Sequence, residues 1–269
     1  PGFGFGALAA GADILIAEAL HRAGAELHVI LPYPVDRFRE LSVAPFGDHW
    51  LARFDALAVV AATLDVLTEL PDEDERSLAV AVELADLVAM GQCVRNAGVL
   101  NSRPKALTIT GRGDEPRRQH LVWADTGHDK FAISVARKVD HQSITGLSGE
   151  GRREIAAILW ADGLDRDALS QLPEAARAFQ AAGDARYRIS TNIAELLSIS
   201  RSLLQHNPDS RISLLTDIMD PQRPAASLLE QAGDMARVSS GGAVLTDYKS
   251  AMVLTLEPGR HAVEEIGEL

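Results

Sequence analysis

PGFGFGALAAGADILIAEAL, residues 1 to 20, decides how the first half of the chain is read. Glycines at 2, 4 and 6 precede ADILIAEALHRA (12 to 23), which places Ile14, Leu15, Ala19 and Leu20 near one helical face. Gly24 stops that helix, and ELHVILP (26 to 32) follows as a short apolar strand closed by Pro32. Glycine loop, helix and strand in that order are the grammar of an α/β domain. A GxGxxA pattern reads at 2 to 7 or at 4 to 9, and in a dinucleotide fold it needs a strand before it and a helix after. The sequence predicts the helix but no strand ahead of it. ELHVILP, moreover, runs into Pro32-Tyr33-Pro34 rather than an acid that would hold a ribose hydroxyl. A standard NAD-binding unit is therefore a poor fit. What survives is general physics: amides at a helix N-terminus, reached past small residues, favour an anionic group. Gly4, Gly6, Ala10, Gly11 and Asp13 form the candidate ligand site, with Asp13 placed to cap the helix. The competing reading is that the glycines only permit a tight turn and close packing.

The whole chain sets bounds on that reading. A length of 269 residues suggests two domains of ordinary size. A net charge of −12 argues against a surface that wraps nucleic acid, while leaving room for one small basic pocket. The single cysteine, Cys93, cannot form an internal disulfide and fits a reducing compartment. Its apolar setting, VAMGQCVRNAG, reads as an inert thiol. No apolar run reaches the ~18 residues of a membrane helix and no leader pattern is present, so the expectation is a cytoplasmic protein without a membrane partner. Pro1 in place of Met fits a processed chain or a piece of a longer one.

Along the chain, 47 to 69 and 74 to 95 read as helices and KALTIT (105 to 110) as a strand ending in the turn GRGDEP. HLVWAD and KFAISVARKV read as a strand pair around Thr126-Gly127-His128. DHQSITGLSGEGRR clusters Gly, Ser and charge without periodicity, so residues 140–153 are the linker candidate. Beyond it EIAAILWAD is a strand, DALSQLPEAARAFQAA a helix and ARYRIS a strand. A helix over 192–206, the strand RISLLTDIM, a helix over 224–237 and the strand and short helix of GGAVLTDYKSAMVL complete the pattern.

The stretch ALAAGADILIAEALHRAGAELHVILPYPVDRF resembles the SLOG superfamily, the α/β fold shared with the Lonely Guy phosphoribohydrolases. More closely, it resembles the SLOG-type regions beside class III nucleotidyl cyclase domains in bacterial signalling proteins. The resemblance rests on Ala10 to Asp13, Ala17-Glu18, Leu31-Pro32, Arg37-Phe38, Ser42-Val43 and HWLARF (49 to 54), and covers roughly 4 to 137. It implies a Rossmann-like domain over 1–139, with its first strand and helix missing, that binds a nucleotide or nucleotide-derived ligand. Glu18, on the helix near the loop, is a further candidate contact and equally a solvated surface acid. The Lonely Guy loop, Pro-Gly-Gly-x-Gly-Thr followed by Glu, is not in the sequence, which leaves a hydrolase as a weak alternative.

Residues 153 to 269 resemble a class III cyclase catalytic domain. Trp160-Ala161-Asp162 stands where a Phe-x-Asp stretch starts the metal site, and Ala182-Gly183-Asp184 where a Gly-Asp hairpin supplies the second carboxylate. SRISLLTDIM, SSGGAVLTDYKSAMVL and EEIGEL match later strands and the closing segment. The resemblance implies a ferredoxin-like cyclase-homology domain over 154–269, with Asp162 and Asp184 as metal ligands for Mg or Mn if the site is active. Asp165-Arg166 replaces the Gly-Phe that should close on phosphate, and the two aspartates lie nearer in sequence than in the family. PAASLLEQAGDMAR (224 to 237) lacks the Asn and Arg that stabilise the transition state, with Arg237 its one basic residue and Arg223 just before it. The expectation is a catalytically inactive relative.

Several residues carry less. His120 and His128, near Arg112, Arg117 and Arg118, read as a solvated loop, with phosphate contact as the alternative. His21 and His28 lack ligand partners at metal spacing. PDEDER (71 to 76) reads as a solvated helix start with Asp72 as its cap. Together these observations point to a nucleotide-related signalling protein, a sensor or regulatory module that works as a homodimer or docks on other signalling domains. The alternatives are an active dimeric cyclase and a docking remnant of a larger chain.

Overall fold

The computed structural model describes residues 2–69, 75–111, 117–135, 153–164, 169–170, 172–173, 177–239 and 241–257. The chain divides into two compact units, one of residues 1–148 with 255–269 and one of residues 149–254. Both are mixed α/β.

The first unit begins with β1 (Phe3–Gly6), α1 (Ala12–Arg22) and β2 (Glu26–Leu31). After α2 (Val35–Phe38), a π turn over Arg39–Val43 and a 3-10 turn over Ala44–Phe46 lead into α3 (Asp48–Val60) and β3 (Thr63–Val66). Strands β1, β2 and β3 form one parallel sheet in that order, with Phe5 opposite His28 and His28 opposite Thr63. The sequence reading of Gly2 to Gly6 as a loop, with no strand ahead of the helix, is corrected here. Residues 3–6 are the strand. Phe3 and Phe5 alternate with the glycines, so both rings meet His28 from one sheet face, at centroid distances of 6.0 and 4.9 Å. Gly4 faces the other side, where Leu20 and Leu27 pack.

Helix α1 ends as the sequence predicts. Gly24 adopts φ 81°, its N–H donates to His21 O, and Ala25 N–H donates to Leu20 O, the paired bonds of a Schellman ending. The segment after β2 is an aromatic knot rather than an open turn. Tyr33, Phe38 and Phe54 are buried and contact in series, at 5.7 and 5.9 Å between centroids. The expected helix over 47–69 stops at Val60, because TLDV pairs with β2 and Ala62 N–H already donates to Leu27 O.

Helix α4 (Glu75–Val99) packs against β1 and β2 and buries Ala81, Leu84, Ala85, Leu87 and Val88. It is apolar nearly all round, as a helix at the centre of a core must be. By length and composition α4 could cross a membrane, a correction to the expectation that no apolar run is long enough, but half of its apolar stretch is buried inside the protein. Strands β4 (Lys105–Gly111) and β5 (Asp129–Val135) form a separate parallel pair with Leu107 opposite Phe131. Between them HLVWAD is helix α5 (Arg118–Asp125), not a strand. Gln119 and Trp123 are both buried while Leu121 between them is exposed, whereas a strand would put all three on one face. Thr126, Gly127 and His128 close that helix: Thr126 Oγ1 donates to Trp123 O at 2.6 Å and Gly127 takes φ 72°.

The second unit is built on β6 (Glu154–Asp162), the middle strand of five. It continues with β7 (Gln180–Ala182), β8 (Ala185–Ser190), α6 (Ile193–His206), β9 (Arg211–Met219), α7 (Ala226–Val238), β10 (Val244–Leu245) and α8 (Tyr248–Thr255). The sheet order is β10-β9-β6-β8-β7, antiparallel except for β10 beside β9. The helix expected over DALSQLPEAARAFQAA is corrected at its end: residues 180–182 are strand, and Gly183 at φ 61° turns them into β8. Residues 112–116 of GRGDEP, Asp72, Asp165-Arg166, the closing EEIGEL and all but the last residue of the proposed linker lie outside the described residues.

Alternation along β6 feeds both faces of this sheet. Ala156, Ile158 and Trp160 join Leu215 and Met219 under Ala232 and Ala236 of α7. Gly233 lets α7 approach closely there, since a Cβ at that position would stand 3.1 Å from the Trp160 ring. Asn192 caps α6 by accepting the Glu195 N–H at 3.1 Å, and the Ser250 hydroxyl of α8 accepts the buried Thr216 N–H of β9.

Candidate ligand site at the end of the first sheet

The turn from β1 to α1 lies at the C-terminal end of a parallel sheet, the edge where open α/β folds hold ligands. Gly11 adopts φ 105° and ψ −119°, a conformation closed to residues with a Cβ, and no neighbour crowds it. Ala10 N–H donates to Ser42 O at 3.0 Å, tying the turn to the segment after β2. The Ser42 hydroxyl in turn bonds Tyr33 Oη at 3.1 Å. Asp13 does not cap α1, whose N-cap is Gly11 without a side-chain bond. Its carboxylate instead accepts the Ala9 N–H at 3.3 Å and so fastens the preceding turn.

Asp13 has a partner that the sequence reading missed. Burial pushes its carboxyl up from 3.8 to about 6, against the opposing pull of the Ala9 amide and Arg117. Asp86 of α4 is pushed up to about 7, first by burial and then by the charge of Asp13. Gln119 Nε2 donates to Asp86 Oδ2 at 2.9 Å, and the charge of Arg117 favours the ionised form of both acids, opposing the rise. Two acids raised in this way, Asp13 by burial and Asp86 by burial and the charge of Asp13, hold a proton near neutral pH and present both donor and acceptor oxygens. On the neighbouring turn of α5, Arg118 pairs with Glu83 at 3.1 Å, and burial with the charges of Arg117 and Lys130 lowers the His120 imidazole. Asp86 is invisible as a site residue in sequence, sitting mid-helix among apolar neighbours. An acid three residues after Glu83 in an otherwise apolar stretch of helix was the available signal.

The remaining candidates separate. Gly4 and Gly6 belong to β1 rather than to the turn, and Gly4 sits beneath Leu20. Glu18 is committed elsewhere: Arg53 of α3 grips it through two 2.6 Å bonds while lying 4.4 Å over the Trp50 ring. That pairing lowers the Glu18 carboxyl and raises Arg53. His28 bonds Thr63 Oγ1 at 3.1 Å within the sheet. The Cys93 thiol is half-buried and held above its usual range by burial.

In the second unit Asp162 ends β6 one step beyond the Ala161–Arg186 pair, and Asp184 sits in the hairpin before β8. Both acids therefore lie at one end of the sheet. Asp162 Oδ1 accepts the Trp160 indole N–H at 2.9 Å, and its Oδ2 faces the Arg211 guanidinium at 3.7 Å. Asp184 is exposed. Among the described residues no three His, Cys, Asp or Glu side chains converge as a metal site. Comparison of the chain with protein-family models, with curated proteins and with solved structures found no match in any of the three.

Proposed function

We propose that the protein is a nucleotide-related signalling component of the cytoplasm whose first unit takes a nucleotide-derived ligand at the β1–α1 turn. The observation that carries this reading is the pair of raised carboxyls, Asp13 and Asp86, at the C-terminal edge of a parallel sheet. Successive parallel strands joined by α1 and α3 support a Rossmann-like, SLOG-type assignment. The acids also alter which end of the ligand meets the turn. A phosphate would be repelled by two carboxylates, whereas sugar hydroxyls or a base amine would donate to them. Arg117 is the cation placed for an anionic group nearby.

The second unit acts as a non-catalytic cyclase-like module for binding or dimerisation. Its order β9-β6-β8-β7, with α6 between β8 and β9, supports a ferredoxin-like assignment. The alternative of an active cyclase rests on Asp162 and Asp184 sharing one sheet end. With both oxygens of Asp162 facing N–H donors, this donor set does not fit Mg or Mn, and no step through a metal follows. A thermal-shift screen with ADP-ribose, cyclic nucleotides and nucleoside triphosphates tests the sensor reading, because a ligand at a hundred times its Kd stabilises the fold by about 2.7 kcal/mol. A shift with a ribose-bearing ligand that Arg117→Ala abolishes supports the reading; no shift with any of them removes it.

A further inference from the structure

We draw no further inference here: the strongest candidate, the apolar face of the β4–β5 sheet carrying Leu107, Phe131, Ile133 and Val135, is exposed, and nothing in the structure shows what covers it.

Discussion

Leu20 of α1 lies directly over Gly4 of β1: a Cβ on Gly4 would stand 2.8 Å from Leu20 Cδ1 and 3.2 Å from Leu27 Cδ2. The glycines that open the chain therefore serve different ends. Gly4 brings a helix close to its strand, Gly6 has open space around it, and Gly11 holds a backbone angle.

Alanine at each position should separate these roles. Gly11→Ala is expected to cost about 1–3 kcal/mol, since the residue must hold a strained conformation. Gly4→Ala should cost about 1 kcal/mol, because the end of a half-buried leucine can yield. Gly6→Ala should stay within about 0.5 kcal/mol. Urea denaturation of the three variants checks the order.

The acid pair predicts a pH dependence with a definite sign. Asp13 and Asp86 titrate at about 6 and about 7 in the folded chain, against 3.8 for an ordinary aspartate. Between those values the folded chain keeps protons that the unfolded chain has released. Stability is therefore full at and below pH 3.8 as far as these groups are concerned, falls as pH rises towards 7, and levels off above. Asp86→Asn removes one charge and keeps an oxygen for Gln119. It should raise stability at pH 8 by about 1–3 kcal/mol and flatten the slope, at about 1.4 kcal/mol per unit of pKa relieved. Denaturation at pH 5 and pH 8 reads both effects.

Gly233 and Trp160 predict a packing effect in the second unit. The Trp160 ring is fixed by its bond to Asp162 and by stacking near Tyr187, with centroids 6.0 Å apart, so it cannot step aside. Gly233→Ala should lower stability by about 1–3 kcal/mol despite alanine's better helix propensity. A fall in the urea midpoint with blue-shifted or broadened Trp160 fluorescence is the expected signature.

Where one periodicity ruled, the sequence was legible. β2, β4, β6, β8 and β9 read as apolar strands, α7 as an amphipathic helix, and α1 and α6 as amphipathic helices with glycine or asparagine at their ends. The failures have physical causes. FGFG looks like a loop because half its residues are glycine, yet its strand comes from Phe3 and Phe5 meeting His28 across the sheet. HLVWAD carries β-prone residues but buries Gln119 and Trp123 on one helical face. Asp13 was visible as a candidate, whereas Asp86 joins it only through the packing of α4, a long-range relation that local spacing does not encode.

The proposed non-catalytic role of the second unit predicts a null result. With ATP or GTP and Mn²⁺, no cyclic nucleotide should form above background, and Asp162→Ala should change nothing in that assay. Product that disappears in Asp162→Ala would restore the enzymatic reading.

The most direct test of the ligand site is calorimetric titration of the intact chain and of Asp13→Asn with ADP-ribose, adenosine and inorganic phosphate at pH 7. The account predicts heat with ADP-ribose, weaker or no heat with phosphate, and at least a tenfold loss of affinity in Asp13→Asn, the equivalent of about 1.4 kcal/mol. No heat with either nucleoside compound, or equal affinity in the variant, would contradict it.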